Sequence, residues 1–396
     1  MSDQISRPRQ PGESLAQAQV PRIIEFEPIP AAFKPNRPAP FHMDISEVLP
    51  PATMQTISRT GRMAFHCMGD TGGVKRPEVQ HLVAQGMERS LTTDRMAPLF
   101  FYHLGDVVYY TGEITEYWPQ FYEPYEHYPL PILGIPGNHD GEKMTQASVS
   151  LQGFHDNFLA PKSGTFTHES HDSGRAAMNQ PWFFWTLTTP FATFIGLYTN
   201  VPEHGRLAPD QRTWFQNEMK AADRSKALVV ALHHPVYSFD NFHSGSPTMA
   251  LELQNAINAS HRVPNMVLAA HVHNYQRIEL HVGGAVVPFF VIGNGGYWNL
   301  HKLASQPGYQ DPQTGAKLIA AVDDRHGFMT LEITKSVING HFTTVPRPQE
   351  SWSDPKGYNP NFDVFSYPAA PVFLKTGQQA TLAPEGGSNV APQISE

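Results

Sequence analysis

Five short apolar runs punctuate the chain, and each stops at a polar cluster. They are MAFHCMG (63–69), APLFFYHLG (97–105), LPILGIPG (130–137), ALVVALH (227–233) and NMVLAA (265–270). Their length and their β-branched and aromatic content predict buried strands. Between them, apolar residues recur at helical spacing in PEVQHLVAQGMERSL (77–91), PDQRTWFQNEMKAAD (209–223) and MALELQNAINASHR (249–262). Strands alternating with helices predict α/β layering. A second set of runs predicts antiparallel pairs. WFFWTL pairs with FATFIGLYT within 182–199, and RIELHVGG with AVVPFFVIG within 277–293 through a Gly-Gly turn. GFMTLEIT pairs with GHFTTV within 327–345. The pattern as a whole predicts two sheets packed face to face and flanked by helices.

Composition narrows the class. The chain has 396 residues, of which 40% are hydrophobic and 16% charged. That supports a real core and is too weakly charged for a disordered chain. A net charge of -8 excludes a nucleic-acid binder that relies on a broad basic surface. No run approaches 18 apolar residues, so no membrane-spanning helix is predicted. The one cysteine, Cys67, excludes an intramolecular disulfide framework and any thiolate-rich metal site. Residues 1–60 read as a proline-rich arm with a disordered tip, and 61–345 as the folded body. Residues 346–396 read as a proline-rich trailing segment ending in a disordered tail. No signal peptide is visible at the start. That favours the cytoplasm, with a periplasmic or secreted protein requiring a processed start. Nothing in the pattern specifies an oligomeric state.

The 20 histidines change the picture, because histidine both binds metals and moves protons. Each strand of the first set runs directly into residues that can bind metal. Asp70 follows in GDTGG, and Asp106 with Tyr109 in GDVVYY. Asn138, His139 and Asp140 follow in GNHD, His233 and His234 in HHP, and His271 and His273 in HVHNYQR. Carboxyl ends of strands are where α/β sheets bind ligands. The donors are oxygen and imidazole, a set that suits Fe, Mn or Zn better than a structural zinc. Seven candidate ligands exceed the need of one ion and match two ions sharing a carboxylate. Such a pair clamps the attacking and leaving oxygens of a phosphoryl group. GDTGG lacks the lysine of a P-loop, which excludes a Walker-type nucleotide cradle.

The series GDTG, GDVVY, GNHD, VALH and HVH resembles the calcineurin-like metallophosphoesterase superfamily, and within it the purple acid phosphatases most closely. Most of the superfamily begins with Asp-x-His, whereas this chain has Asp70-Thr71-Gly72. Purple acid phosphatases supply a tyrosine from GDxxY instead, and Tyr109 stands at that place. The resemblance covers about residues 60–345. Ala270 departs from the glycine usual before HxH, with a side chain that is still small. The resemblance implies an α/β fold, a four-layer α-β-β-α sandwich with mixed sheets and a dimetal site at strand carboxyl ends. It implies one ion held by Asp70, Asp106, Tyr109 and His273, with Fe(III) at this tyrosine site. A second ion, Fe(II), Zn(II) or Mn(II), would be held by Asp106, Asn138, His233 and His271, with Asp106 bridging. His139 and His243 match family histidines near the substrate, and His234 stands beside them as a third candidate for proton transfer.

The implied activity is hydrolysis of a small phosphomonoester by in-line attack of a metal-activated hydroxide, with inorganic phosphate as product and inhibitor. A phosphodiesterase or nucleotide hydrolase on the same scaffold is an alternative, with residues 141–180 as a polar rim. A metal-containing binding module without catalysis is the alternative from another class, and it would show gaps in the ligand set. His66 and His103 read as core or supporting histidines, Cys67 as a buried small residue, and Arg277 as one half of a structural ion pair.

Overall fold

A computed structural model of the chain describes residues 23–170, 173–354 and 356–383. The first sheet has eight strands. In spatial order they are β1 (His42–Asp44), β5 (Trp185–Thr188), β6 (Ala192–Gly196), β7 (Ala227–Ala231), β9 (Met266–Ala269), β11 (Ala285–Ile292), β10 (Tyr275–Val282) and β12 (Lys317–Val322). The second sheet has six, in the order β15 (Asn359–Pro368), β14 (Val337–Thr344), β13 (Gly327–Thr334), β2 (Arg62–Met68), β3 (Phe101–His103) and β4 (Ile132–Gly134). A two-stranded ribbon joins β8 (Arg262–Val263) to β16 (Val372–Phe373). In the first sheet β6, β7, β9 and β11 run parallel, and in the second β2, β3 and β4 run parallel out to its β4 edge.

The helices are α1 (Pro51–Thr60), α2 (Pro77–Thr93), α3 (Asn138–Gly141), α4 (Gln152–Phe158), α5 (Pro209–Ala221) and α6 (Pro247–Ser260). Helices α5 and α6 pack on each other beside β6, and α2 packs on β13. The sheets meet through aromatic side chains. Phe65 of β2 stands edge-on to Phe194 of β6, and Tyr102 of β3 lies parallel to Trp185 of β5 at 6.2 Å. The Trp185 indole N–H donates across the interface to Gly134 O at 3.1 Å. These large rings are buried on both sides, so the two sheets share one core. The result is an α/β sandwich with mixed sheets, as the alternating pattern predicted.

The structure adds elements that the pattern did not reveal. Helix α1 lies within the stretch read as an extended arm. Pro51 at its first position needs no N–H partner, and Gly61 ends it with φ 67°. Strand β15 lies within the trailing segment and closes the edge of the second sheet. Residues 376–383, read as part of a disordered tail, include buried Ala380 and Leu382, and Leu382 O accepts from Tyr237 Oη at 2.7 Å. The expected disordered tip and the rest of the tail lie outside the described residues.

Candidate metal centre

The parallel strands of both sheets end at one place, and the chain turns sharply as it leaves them. Asp70 after β2, Asp106 after β3 and His271 after β9 all take left-handed backbone conformations, with φ of 55°, 54° and 68°. That region is disfavoured for residues carrying a Cβ. Here it turns each side chain back toward the strand ends. Gly105 (φ 95°) and Gly137 let the second and third turns touch. A Cβ on Gly105 would lie 2.5 Å from Gly137 N, and one on Gly137 would lie 2.1 Å from Asp106 Oδ1. Both glycines therefore set how closely the GDVVYY and GNHD loops approach.

All seven candidate ligands are buried and come together. On one side, Tyr109 Oη donates to Asp70 Oδ1 at 3.1 Å and lies 3.4 Å from His273 Nε2. His273 Nε2 is also 3.4 Å from Asp70 Oδ1. On the other side, Asn138 Oδ1 lies 2.9 Å from His271 Nδ1 and 3.1 Å from His233 Nε2. Asp106 stands between them. Its Oδ1 accepts the His139 N–H at 2.9 Å, and its Oδ2 is 3.3 Å from His233 Nε2 without the alignment of a hydrogen bond. Asp106, His233 and His271 each offer a ligand atom within 4.8 Å of the others. The His271 N–H donates to Asp70 Oδ2 at 2.7 Å and links the two sides.

The histidines are aimed by what holds their far nitrogen. His233 Nδ1 donates to Leu104 O at 2.8 Å, and His273 Nδ1 to Asn299 O at 3.0 Å. Each then presents Nε2 to the centre. His139 is tied at Nδ1 to Tyr110 O at 2.9 Å, His243 at Nδ1 to Glu203 Oε1, and His234 at Nδ1 to Thr199 Oγ1 at 2.7 Å. These three flank the cluster. The His139 ring packs on Tyr109 at 4.6 Å, while the His234 and His243 rings pack on His271 at 4.2 Å and 4.8 Å.

This donor set fits a cation. His233 Nδ1 is committed to Leu104 O, so Nε2 is the atom it turns to two oxygens, Asn138 Oδ1 and Asp106 Oδ2. Oxygens and imidazole nitrogens converging in a buried site call for a positive charge there, supplied by a proton or a cation. In the protein alone, electrostatics reflect the same demand. Burial opposes charge on His233, yet the Asp106 carboxylate raises its pKa to about 9. Burial would raise Asp106 too, but His233 and His139 hold it below the usual carboxylate range. Burial keeps His234 and His271 far below an ordinary histidine. It also pushes the Tyr109 phenol up, with Asp70 and Asp106 adding to the effect.

Sequence reasoning named Asp140 only as a residue that can bind metal, and it missed Glu142. Asp140 turns away from the cluster. Its carboxylate accepts from Val107 N at 3.1 Å and Gly137 N at 2.8 Å and so ties two of the loops together. Burial and the neighbouring Asp106 raise its pKa to about 7. Its position in GNHD was the only signal. Glu142, two residues further on, accepts from Asn138 Nδ2 at 3.0 Å, and no motif pointed to it. The supporting histidines are where the sequence expected them. His103 Nε2 meets Thr71 Oγ1 at 2.9 Å, and His66 lies in the core between Tyr128 and Ser90. Arg277 pairs with Asp363, and Cys67 is buried.

Known structures resemble this one in fold. Purple acid phosphatase PPD1 from yellow lupin (Lupinus luteus) seeds aligns with a TM-score of 0.50 at 16% identity, over 77% of this chain and 53% of that one. GAP50, the anchor in the inner membrane complex of Plasmodium, aligns with a TM-score of 0.49 at 16% identity, over 72% and 84%. A dimetal phosphatase from Danio rerio aligns with a TM-score of 0.45 at 10% identity, over 78% and 99%. No curated protein sequence matches the chain. A sequence model of the calcineurin-like phosphoesterases matches residues 63–275, from the start of β2 through the HVH turn. With more than half of its length matched and every turn of the cluster inside the match, the chain belongs to the calcineurin-like phosphoesterase family.

Proposed function

We propose that this protein is a dimetal phosphomonoesterase of the purple acid phosphatase type. The observation that carries this reading is the buried convergence of Asp70, Asp106, Tyr109, Asn138, His233, His271 and His273 at the strand ends. Asp70, Tyr109 and His273 would hold the first ion together with Asp106. Asn138, His233 and His271 would hold the second, with Asp106 as the shared ligand. A buried phenol among the ligands favours Fe(III) at the first site, and the nitrogen-rich second site suits Fe(II), Zn(II) or Mn(II). When bound, the ions would supply Lewis-acid activation of the phosphoryl group and acidify a water for attack on phosphorus.

The remaining work falls to the protein. Two carboxylates and one phenol against two polyvalent ions leave the centre net positive, which draws an anionic phosphate into it. His139, His243 and His234 are each held at Nδ1, and Nε2 is the atom that would meet a substrate oxygen. A histidine so placed can hydrogen-bond the phosphoryl oxygens and deliver the proton that the departing alkoxide needs. His139 would serve from the Tyr109 side, and His243 and His234 from the His271 side.

The test is a paired assay of metal-loaded protein on p-nitrophenyl phosphate and bis(p-nitrophenyl) phosphate from pH 4 to pH 9, with phosphate as inhibitor. Faster monoester hydrolysis with an acidic optimum is expected. Preference for the diester would overturn the monoesterase reading. Turnover of neither ester with two ions bound would overturn catalysis by this centre on simple esters.

A further inference from the structure

We infer that Glu142 is a positioning residue that fixes which end of the Asn138 amide faces the metal centre. The inference rests on the proposed role of Asn138 as a ligand of the second ion. An amide side chain has an oxygen end and an NH2 end of nearly the same shape, and only the oxygen end binds a cation. In this structure the oxygen end points inward, 3.1 Å from His233 Nε2 and 2.9 Å from His271 Nδ1.

That orientation has to be secured from behind. His233 donates to Leu104 O through its other ring nitrogen, so Nε2 is the atom it turns to the centre. The two ends of the amide have the same shape, and an unrestrained amide is free to present either of them. Glu142 prevents this. Its Oε1 accepts from Asn138 Nδ2 at 3.0 Å, and a turned amide would set oxygen against carboxylate. The glutamate side chain is only 3% exposed, so water does not substitute for it. The same Oε1 stands 3.3 Å from His139 Nδ1, placing one carboxylate behind both a ligand and a candidate proton donor.

The position of Glu142 is itself secured from outside. Its neighbour Lys143 pairs with Glu27 at 2.7 Å, and Lys143 O accepts the Ile23 N–H at 2.8 Å. The proline-rich arm thus braces the segment that carries the glutamate. Ligands are commonly held by such outer partners, whose loss costs about 10–100-fold in metal affinity.

The test measures zinc bound per chain at defined free Zn(II), together with the urea midpoint of each metal-free variant. Wild type is expected to bind two ions. Glu142→Ala should keep the first and need ~10–100-fold more free zinc to fill the second. Glu142→Gln can still offer an oxygen to Asn138 Nδ2 and should recover most of that loss. Glu142→Asp withdraws the carboxylate by one methylene and should lose affinity selectively, which provides a second readout if the alanine variant fails to fold. Unchanged affinity for the second ion in both Ala and Asp variants would overturn the inference. So would weakening of both ions in step with stability. Asn138→Ala separates the two levels of the argument. If that variant keeps both ions, the ligand assignment fails whatever Glu142 does.

Discussion

Tyr109→Phe isolates one atom. The Tyr109 oxygen touches Asp70 Oδ1 at 3.1 Å and His273 Nε2 at 3.4 Å. Its ring packs on Tyr297 at 4.3 Å and on His139 at 4.6 Å. Phenylalanine keeps the ring and its packing, so no cavity of note opens. What is lost without metal is one hydrogen bond to a carboxylate, worth about 1.5–3 kcal/mol. In a domain of this size, that lowers Tm by only a few degrees. The metal-loaded protein should change much more. A tyrosinate bound to Fe(III) gives a visible charge-transfer band, and phenylalanine cannot. The assay is therefore an absorption spectrum of iron-loaded protein, with iron counted per chain and a melting curve of the metal-free form. Wild type should be coloured and the variant colourless, with the fold preserved. A band of wild-type intensity in the variant would refute Tyr109 as the iron ligand. A drop in Tm far beyond a few degrees would refute the claim that only one bond was removed.

Three further outcomes follow from the same geometry. Asp106→Ala should abolish binding of both ions, since the proposed assignment has both ions share this carboxylate; two ions per chain by elemental analysis would contradict a shared ligand. Asp363→Ala should destabilise by about 1–3 kcal/mol in urea, because it removes the two hydrogen bonds of 2.7 and 2.8 Å to Arg277 of β10, which keeps Tyr367 and Glu279, and leaves the buried Tyr275 hydroxyl without its acceptor. A change under 1 kcal/mol would contradict that pair as a bridge between the sheets. Burial lowers the pKa of His66 from 6.5 to about 3, so the unfolded chain binds the proton first. Its contribution is intact above pH 6.5 and falls as the pH drops toward 3, by about 1.4 kcal/mol per unit. His66→Gln should flatten the stability profile between pH 6 and 4 by that slope, and an unchanged slope would refute it.

The cluster was legible because strands and ligands are adjacent in sequence. A buried apolar run that ends in Asp, Asn or His announces the element and a polar side chain at its end, and the structure brings these ends together after β2, β3, β4, β7 and β9. Tyr109 was legible through what was missing, the histidine of Asp-x-His. Strand β15 was not. Its inward residues Asp363, Phe365 and Tyr367 alternate with exposed Phe362 and Val364, so apolar groups on both faces blurred the period. Helix α1 was hidden because its prolines stand at the N-terminus, where a helix accepts them, in a stretch where proline suggested extension. Glu142 was unreadable for another reason. Its task depends on the angle at which a four-residue helix presents Asn138, and residue type alone does not encode that angle.

The left-handed turns at Asp70, Asp106 and His271 carry a consequence for engineering. Each holds a side chain in backbone territory that costs about 1 kcal/mol more than it would for glycine. Chelated protein selected only for heat resistance would therefore drift at these positions toward glycine or asparagine. Such variants would melt later and bind no ions. A thermostability campaign on this fold has to be run with metal present, so that ligand binding offsets the backbone cost and keeps the proposed ligands under selection.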